Sequence, residues 1–116
     1  MQITIPWPDP KLSPNARCHY LKVATLKKQY RSKCCEIAYR HGGKMSGALH
    51  LTITFHPPDK RKRDIDNMLA SIKSALDGIA DAIEVDDYNW VITIKRAEPV
   101  SGGAINIGIS EHELNG

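Results

Sequence analysis

Residues 49–55 alternate strictly: Leu49, Leu51, Ile53 and Phe55 are separated by His50, Thr52 and Thr54, and the run closes at Pro57-Pro58. From residue 65 the apolar spacing changes to three and four, through Ile65, Met68, Leu69, Ile72, Ala75, Leu76 and Ile79. A period of two turns one side of a strand toward a core, and a period near 3.6 turns one stripe of a helix there. A chain whose period switches across one short polar segment is neither all-helical nor all-sheet. The strand and the helix must pack on each other, which gives an α/β architecture.

The rest of the chain supplies partners for that pair. Ile3-Thr4-Ile5 reads as a short strand, ended by Pro6, Pro8 and Pro10, which remove backbone donors. Ser13-Pro14-Asn15-Ala16-Arg17 carries turn chemistry. With Thr25 as N-cap, Leu26, Tyr30, Cys34, Ile37 and Ala38 predict an amphipathic helix to about residue 41, stopped by Gly42-Gly43. Lys27, Lys28, Arg31, Lys33 and Arg40 fall on its other faces. The second helix is expected over residues 64–80 or slightly beyond, with Gly78 its weak point. An acidic loop, Glu84-Val85-Asp86-Asp87, leads into a third strand over residues 90–95. Ser101-Gly102-Gly103 predicts a hairpin-type turn into a fourth strand, antiparallel to the third, with Ile105, Ile107 and Ile109 facing inward. Trp7 and Trp90 are expected in the core, and residues from 110 onward as a mobile tail. The expected fold is therefore α/β: a small mixed sheet of about four strands with two main amphipathic helices, in the order β-α-β-α-β-β. One domain over residues 1–116 is expected, with a core modest enough to favour a homodimer.

Composition removes several function classes. With 41% apolar and 25% charged residues the chain has a globular composition. No apolar run approaches the roughly 18 residues needed to cross a bilayer. The opening residues lack a basic stretch followed by an apolar one, so no membrane partner and a cytoplasmic location are expected. Cys18, Cys34 and Cys35 form no CxxC, which predicts reduced thiols. His19, His41, His50, His56 and His112 form no HExxH and read as surface or strand-face residues, with His19 and His56 still able to face DNA. The absence of Gly-x-x-x-x-Gly-Lys, Gly-x-Gly-x-x-Gly and Gly-x-Ser-x-Gly removes nucleotide-cofactor and serine-hydrolase readings.

Charge is sorted along the chain. Residues 1–63 hold 13 Lys and Arg against 3 Asp and Glu, and residues 64–116 hold 3 against 10. Either the two sets pair with each other as solvated faces, or a polyanion-binding surface lies beside an acidic site. The richest constellation is Lys60-Arg61-Lys62-Arg63 leading into Asp64-Ile65-Asp66-Asn67, with Asp86-Asp87 some twenty residues on. Asp64 at a helix cap and Asp66 in the first turn can converge, and with an acid from the later loop they make an oxygen-ligand set suited to Mg²⁺ or Mn²⁺. The same two acids also suit the helix dipole without any metal. A carboxylate-held metal beside a phosphodiester polarises a phosphoryl oxygen and acidifies a bound water, and a nearby cation stabilises the transition-state charge. Lys73 lies seven residues after Asp66 on the same predicted face, and it either reaches back toward the acids or stays solvated.

The ordered set Ile5-Pro6-Trp7-Pro8, Ser13 to Arg17, a basic first helix, Pro58-Asp59-Lys60-Arg61-Lys62-Arg63, Asp64-Ile65-Asp66-Asn67 and Val85-Asp86-Asp87 resembles the RusA-like Holliday junction resolvases, small phage- and prophage-derived endonucleases. The resemblance covers most of the chain. It implies a Mg²⁺-dependent homodimer that binds four-way DNA junctions and nicks two strands symmetrically, in recombination and repair, with Mn²⁺ a plausible substitute. It carries catalytic carboxylates onto Asp64, Asp66 and Asp87, with Asp86 an adjacent candidate ligand. Lys60, Arg61, Lys62, Arg63, Asn15, Arg17, Lys27, Lys28 and Arg31 are the expected DNA contacts. The pattern departs at residue 70, where the family commonly has a catalytic lysine six residues after the first aspartate and this chain has Ala70; Lys73 is the candidate replacement. A junction-binding protein with little or no cleavage, and a metal-dependent nuclease without junction preference, are the rival expectations.

Overall fold

The computed structural model describes residues 1–111, so His112 lies outside the described residues. Four strands, β1 (Gln2–Pro6), β2 (Leu49–His56), β3 (Trp90–Arg96) and β4 (Ala104–Glu111), form one mixed sheet in the order β1-β4-β2-β3. Three helices complete the fold: α1 (Tyr20–Arg40), α2 (Ile65–Ser71) and α3 (Lys73–Ile83).

The alternating run behaves as its period requires. Leu49, Leu51, Ile53 and Phe55 are fully buried, and His50, Thr52, Thr54 and His56 stay half-buried on the other face. Ile105 and Ile107 of β4 and Ile3 and Ile5 of β1 extend that apolar face, while Cys34, Ala38, Ile72, Ile79 and Ile83 close it from the helices. The opposite face carries polar pairs such as His50 Nε2 to Thr93 Oγ1 at 2.7 Å and Thr4 Oγ1 donating to Asn106 Oδ1 at 2.9 Å.

Several expectations are corrected. The third and fourth strands are not paired: β3 pairs with β2 in parallel, and β4 inserts between β1 and β2, antiparallel to both. The loop between them crosses the end of β2, where Ala97 N–H donates to Phe55 O and Val100 N–H to Pro57 O, both at 2.9 Å. Gly102 and Gly103 do supply positive φ, but inside a crossing loop rather than a hairpin. Ser110 and Glu111 belong to β4, opposite His50 and Leu49, and are not a tail; the rest of the expected tail lies outside the described residues. The first helix starts six residues earlier than expected, at Tyr20, because His19 Nδ1 accepts from Leu21 N–H and caps it; Thr25 is interior, its hydroxyl donating to Leu21 O. Trp90 is buried as expected, whereas Trp7 is only half-buried.

The second predicted helix is two. Ile72 leaves helical geometry (φ −105°, ψ 11°), closing α2 and opening α3. Ser71 Oγ donates to Asn67 O at 2.8 Å, the back-bond to the preceding turn that bends helices at serine. Past the break, α3 packs along α1 at Gly78, where a Cβ would sit 2.1 Å from Arg31 O; only glycine permits this approach.

Candidate functional site

Two cavities adjoin at Ser71, and they divide the expected site residues. The first, about 730 Å³, is lined by Asp66 from α2, Lys73 and Asp77 from α3, Asp87 from the turn before β3, and Lys27 from α1. The second, about 670 Å³, is lined by Arg61, Lys62, Arg63, Asp64 and Asn15, with Trp7 in its wall.

The charged groups of the acid-lined cavity come from four elements. The break at Ile72 makes Lys73 the first residue of α3, and its Nζ donates to Asp77 Oδ1 at 3.0 Å and Asp87 Oδ2 at 3.4 Å. The hydrogen bond to Asp77, aided by Asp87, outweighs desolvation and pushes the Lys73 pKa above the ordinary lysine value. Lys73 is thus a held cation and not a base. Ala70, where the resemblance expects a lysine, faces the same cavity with no charge. Asp86 is turned away from it: its Oδ1 accepts from Asp87 N–H at 2.9 Å, capping the 3₁₀ turn Asp87–Asn89 that presents Asp87.

Asp64 and Asp66 line different cavities that adjoin. Asp64 occupies the N-cap position of α2 in extended geometry without making a side-chain cap bond, and it lines the basic cavity. There Arg63 Nη1 donates to Asp59 Oδ1 at 2.8 Å, and this bond, with Arg61 N–H donating to the same oxygen at 2.9 Å, holds the Asp59 carboxyl below the usual range. The Arg63 guanidinium also lies 5.8 Å from the centre of the Trp7 ring, within cation–π range, and Trp7 meets Phe55 edge-on at 6.1 Å.

The remaining basic residues are dispersed. Arg31 is tied to Asp81 by two bonds, Nε to Oδ2 at 2.7 Å and Nη2 to Oδ1 at 2.9 Å, which hold Asp81 below the usual carboxylate range; with Lys28 it borders a separate shallow groove. Lys60 and Arg17 are exposed and line neither cavity. Pairing between the two charge-sorted stretches is confined, among the described residues, to Arg31 with Asp81 and Lys44 with Glu84 at 3.9 Å. His56 Nδ1 bonds Glu98 O at 2.8 Å. The buried Cys34 thiol is pushed up to about 12 by desolvation, which keeps it protonated and unreactive at neutral pH.

Sequence reading missed Asp77, and it quoted Asp59 and Trp7 without giving either a part in the site. Asp77 was available from the four-residue spacing after Lys73, and Asp59 from the same spacing before Arg63. Trp7 gave no such signal.

Among the described residues, no three His, Cys, Asp or Glu side chains stand close enough together to enclose a metal ion on their own. Mg²⁺ differs from metals that need a full protein cage, since it commonly takes one or two carboxylates and completes its shell with water and substrate phosphate. The hard oxygen donors Asp66 and Asp87 fit that mode.

No family model matches the chain. A protein of Xylella fastidiosa (strain Temecula1 / ATCC 700964), bearing the name "Uncharacterized protein", is 43% identical over 94 residues, covering 77% of this chain. The match spans 61% of that relative's length. No helix among the described residues is long and apolar enough to cross a membrane.

Proposed function

We propose that this chain is a Mg²⁺-dependent, structure-selective endonuclease that cuts branched DNA, four-way junctions above all, by paired nicks. The observation that carries the reading is the convergence, from separate elements, of Asp66, Asp87 and the doubly held Lys73 on one cavity. Asp66 and Asp87 would hold the cation together with oxygens of the substrate; when bound, it supplies Lewis acidity at the phosphoryl oxygen and an acidified water. Lys73 keeps its proton and stands where negative charge grows on the phosphate. Asp77 fixes the Lys73 ammonium in place. Arg61, Lys62 and Lys27, exposed and without a close acidic partner except for Arg61, steer the phosphate backbone across both cavities. Asp64 stands at the edge between the basic wall and α2, close in sequence to the cutting site and within the DNA path.

A homodimer belongs to the same proposal, because two cuts on opposed strands of a junction with two-fold symmetry require two sites in a fixed relation. The free edge of β3 supports it: Val91 and Ile92 are exposed there, 44% and 39%. The site of action is the cytoplasm, without a nucleotide cofactor. A junction binder with little cleavage is the second reading, favoured by Ala70 and by an ammonium already seated against Asp87.

The test is incubation with a synthetic four-way junction and with linear duplex, each with Mg²⁺ and with chelator. Paired nicks in the junction with Mg²⁺ alone are expected. Binding without nicks under every condition selects the second reading, and equal cutting of both substrates removes junction preference.

A further inference from the structure

The start of α1 presents an aromatic surface that neither cavity uses. Tyr20 is 73% exposed and Leu21 60% exposed, and the rings of His19 and Tyr20 stack at 4.7 Å between centres with 26° between planes. The stack is fixed from beneath. His19 Nδ1 accepts from Leu21 N–H at 3.2 Å, so the imidazole that backs Tyr20 is the cap of the helix itself and cannot turn away without uncapping it. An exposed tyrosine held this way has already lost most of the ring freedom that binding would otherwise cost.

Its surroundings are cationic. Arg17, Lys22, Lys27 and Lys28 are all exposed within eight residues of Tyr20, and the same stretch of chain contains no acidic residue. Tyr20 and Lys27 are seven residues apart, hence on nearly the same face of α1, roughly 10 Å apart along the axis. Lys27 lines the cavity that holds Asp66, Lys73 and Asp87. An aromatic platform, a cation two turns on and an acid-lined cavity therefore follow one another along one side of the molecule. Single-stranded nucleic acid is recognised by this combination of a stacking ring and a basic track for the backbone. Duplex is not, since its bases are already stacked.

We propose that the His19–Tyr20 pair is a stacking platform for an unpaired nucleobase of DNA whose backbone continues over Lys27 to the acid-lined cavity. This rests on the reading of the chain as a DNA-binding protein and narrows it to strands with unstacked bases, such as those at a branch point.

The test uses the full chain with a short single-stranded oligonucleotide carrying 2-aminopurine, whose fluorescence is quenched on stacking. The parental protein quenches it on binding at low salt. Tyr20→Ala weakens binding by about 10-fold and abolishes the quench while leaving the salt slope unchanged, because every phosphate keeps its cation. Tyr20→Phe restores both affinity and quench. A Lys27→Ala/Lys28→Ala double variant does the reverse, keeping the quench at saturation while lowering the salt slope by about 0.7 for each phosphate that is no longer neutralised. The exposed position of Tyr20 spares the core, which circular dichroism checks. Parental binding with Tyr20→Ala indistinguishable from it overturns the platform alone, as does a Tyr20→Phe variant as weak as Tyr20→Ala. No binding of any DNA by the parental protein overturns the DNA-binding reading, and the platform with it.

Discussion

The two cavities that meet at Ser71 use charge in opposite ways. In the basic cavity the cations are neighbours in sequence, and one of them, Arg63, is turned inward onto Asp59 while Arg61 stays exposed beside the same carboxylate, so a run of four Lys and Arg exposes less free charge than its composition suggests. In the acid-lined cavity Asp66, Asp77 and Asp87 come from three separate elements, and Asp77 and Asp87 hold the one ammonium of Lys73, at the start of α3 just past the helix break. A charge run describes local chain, and the chain near it can neutralise it. A site assembled from distant residues depends on packing, which places it under the control of the fold.

Lys73 offers the largest effect with which to break this contrast. Lys73→Ala should slow junction cleavage by about 10²-fold with binding nearly unchanged, the scale of losing one charge-stabilising donor. Single-turnover rates and gel-shift affinities give the two numbers. Ala70→Lys is the counter-test: no gain means Lys73 already supplies the charge, and a large gain means that it does not.

A smaller effect separates the cavities by what supports them. Both cavities draw on α2, but the acid-lined one also spans α1 and α3, whereas the basic one is otherwise built on loops and the end of β2. Gly78→Ala replaces a poor helix former with the best one, worth about 1 kcal/mol in favour. The added Cβ meets Arg31 O, however, and should lower stability by about 1–3 kcal/mol in urea unfolding. Any net stabilisation would show that the α1–α3 approach is not tight. Cleavage should suffer in this variant more than binding does, because Lys27 and Lys73 sit on the two helices being pushed apart.

The smallest effects distinguish free cations from paired ones. Lys62→Ala should lower the salt slope of DNA binding by about one unit. Arg31→Ala should change affinity by no more than about twofold, as expected for a surface charge already held by a carboxylate. Because Asp81 is held below its ordinary value by Arg31, the pair stabilises the fold above the ordinary carboxylate range and loses that contribution as pH falls through the depressed value. Asp81→Asn should therefore flatten the acid side of the stability curve.

The strand faces were legible in the sequence because a period of two has one meaning when every second residue is buried, as at Leu49 to Phe55. The sheet order was not. Gly102 and Gly103 encode a turn, but no turn encodes which strand the chain pairs with after it. The helix break was hidden because the apolar stripe continues through Ile72 while a side-chain bond from Ser71 interrupts the backbone. The first turn of α1 was missed because Tyr20 and Leu21 point to solvent and carry no apolar period. Lys73 was within reach of simple helical spacing, although its partners are Asp87 and Asp77, with Asp66 across the same cavity. Asp64 at an extended cap position and Asp66 in the first turn of α2 are where residue types placed them; that they line two adjoining cavities was not foreseeable from those types.

The most direct measurement follows junction binding and single-turnover cleavage by Asp66→Asn and Asp87→Asn in Mg²⁺. If the acid-lined cavity is the cutting centre, both variants lose cleavage by at least about 10²-fold and bind the junction as tightly as the parent or more tightly, because a carboxylate that repels phosphate has gone. Full cleavage by Asp66→Asn would contradict the assignment and move the chemistry elsewhere on the molecule.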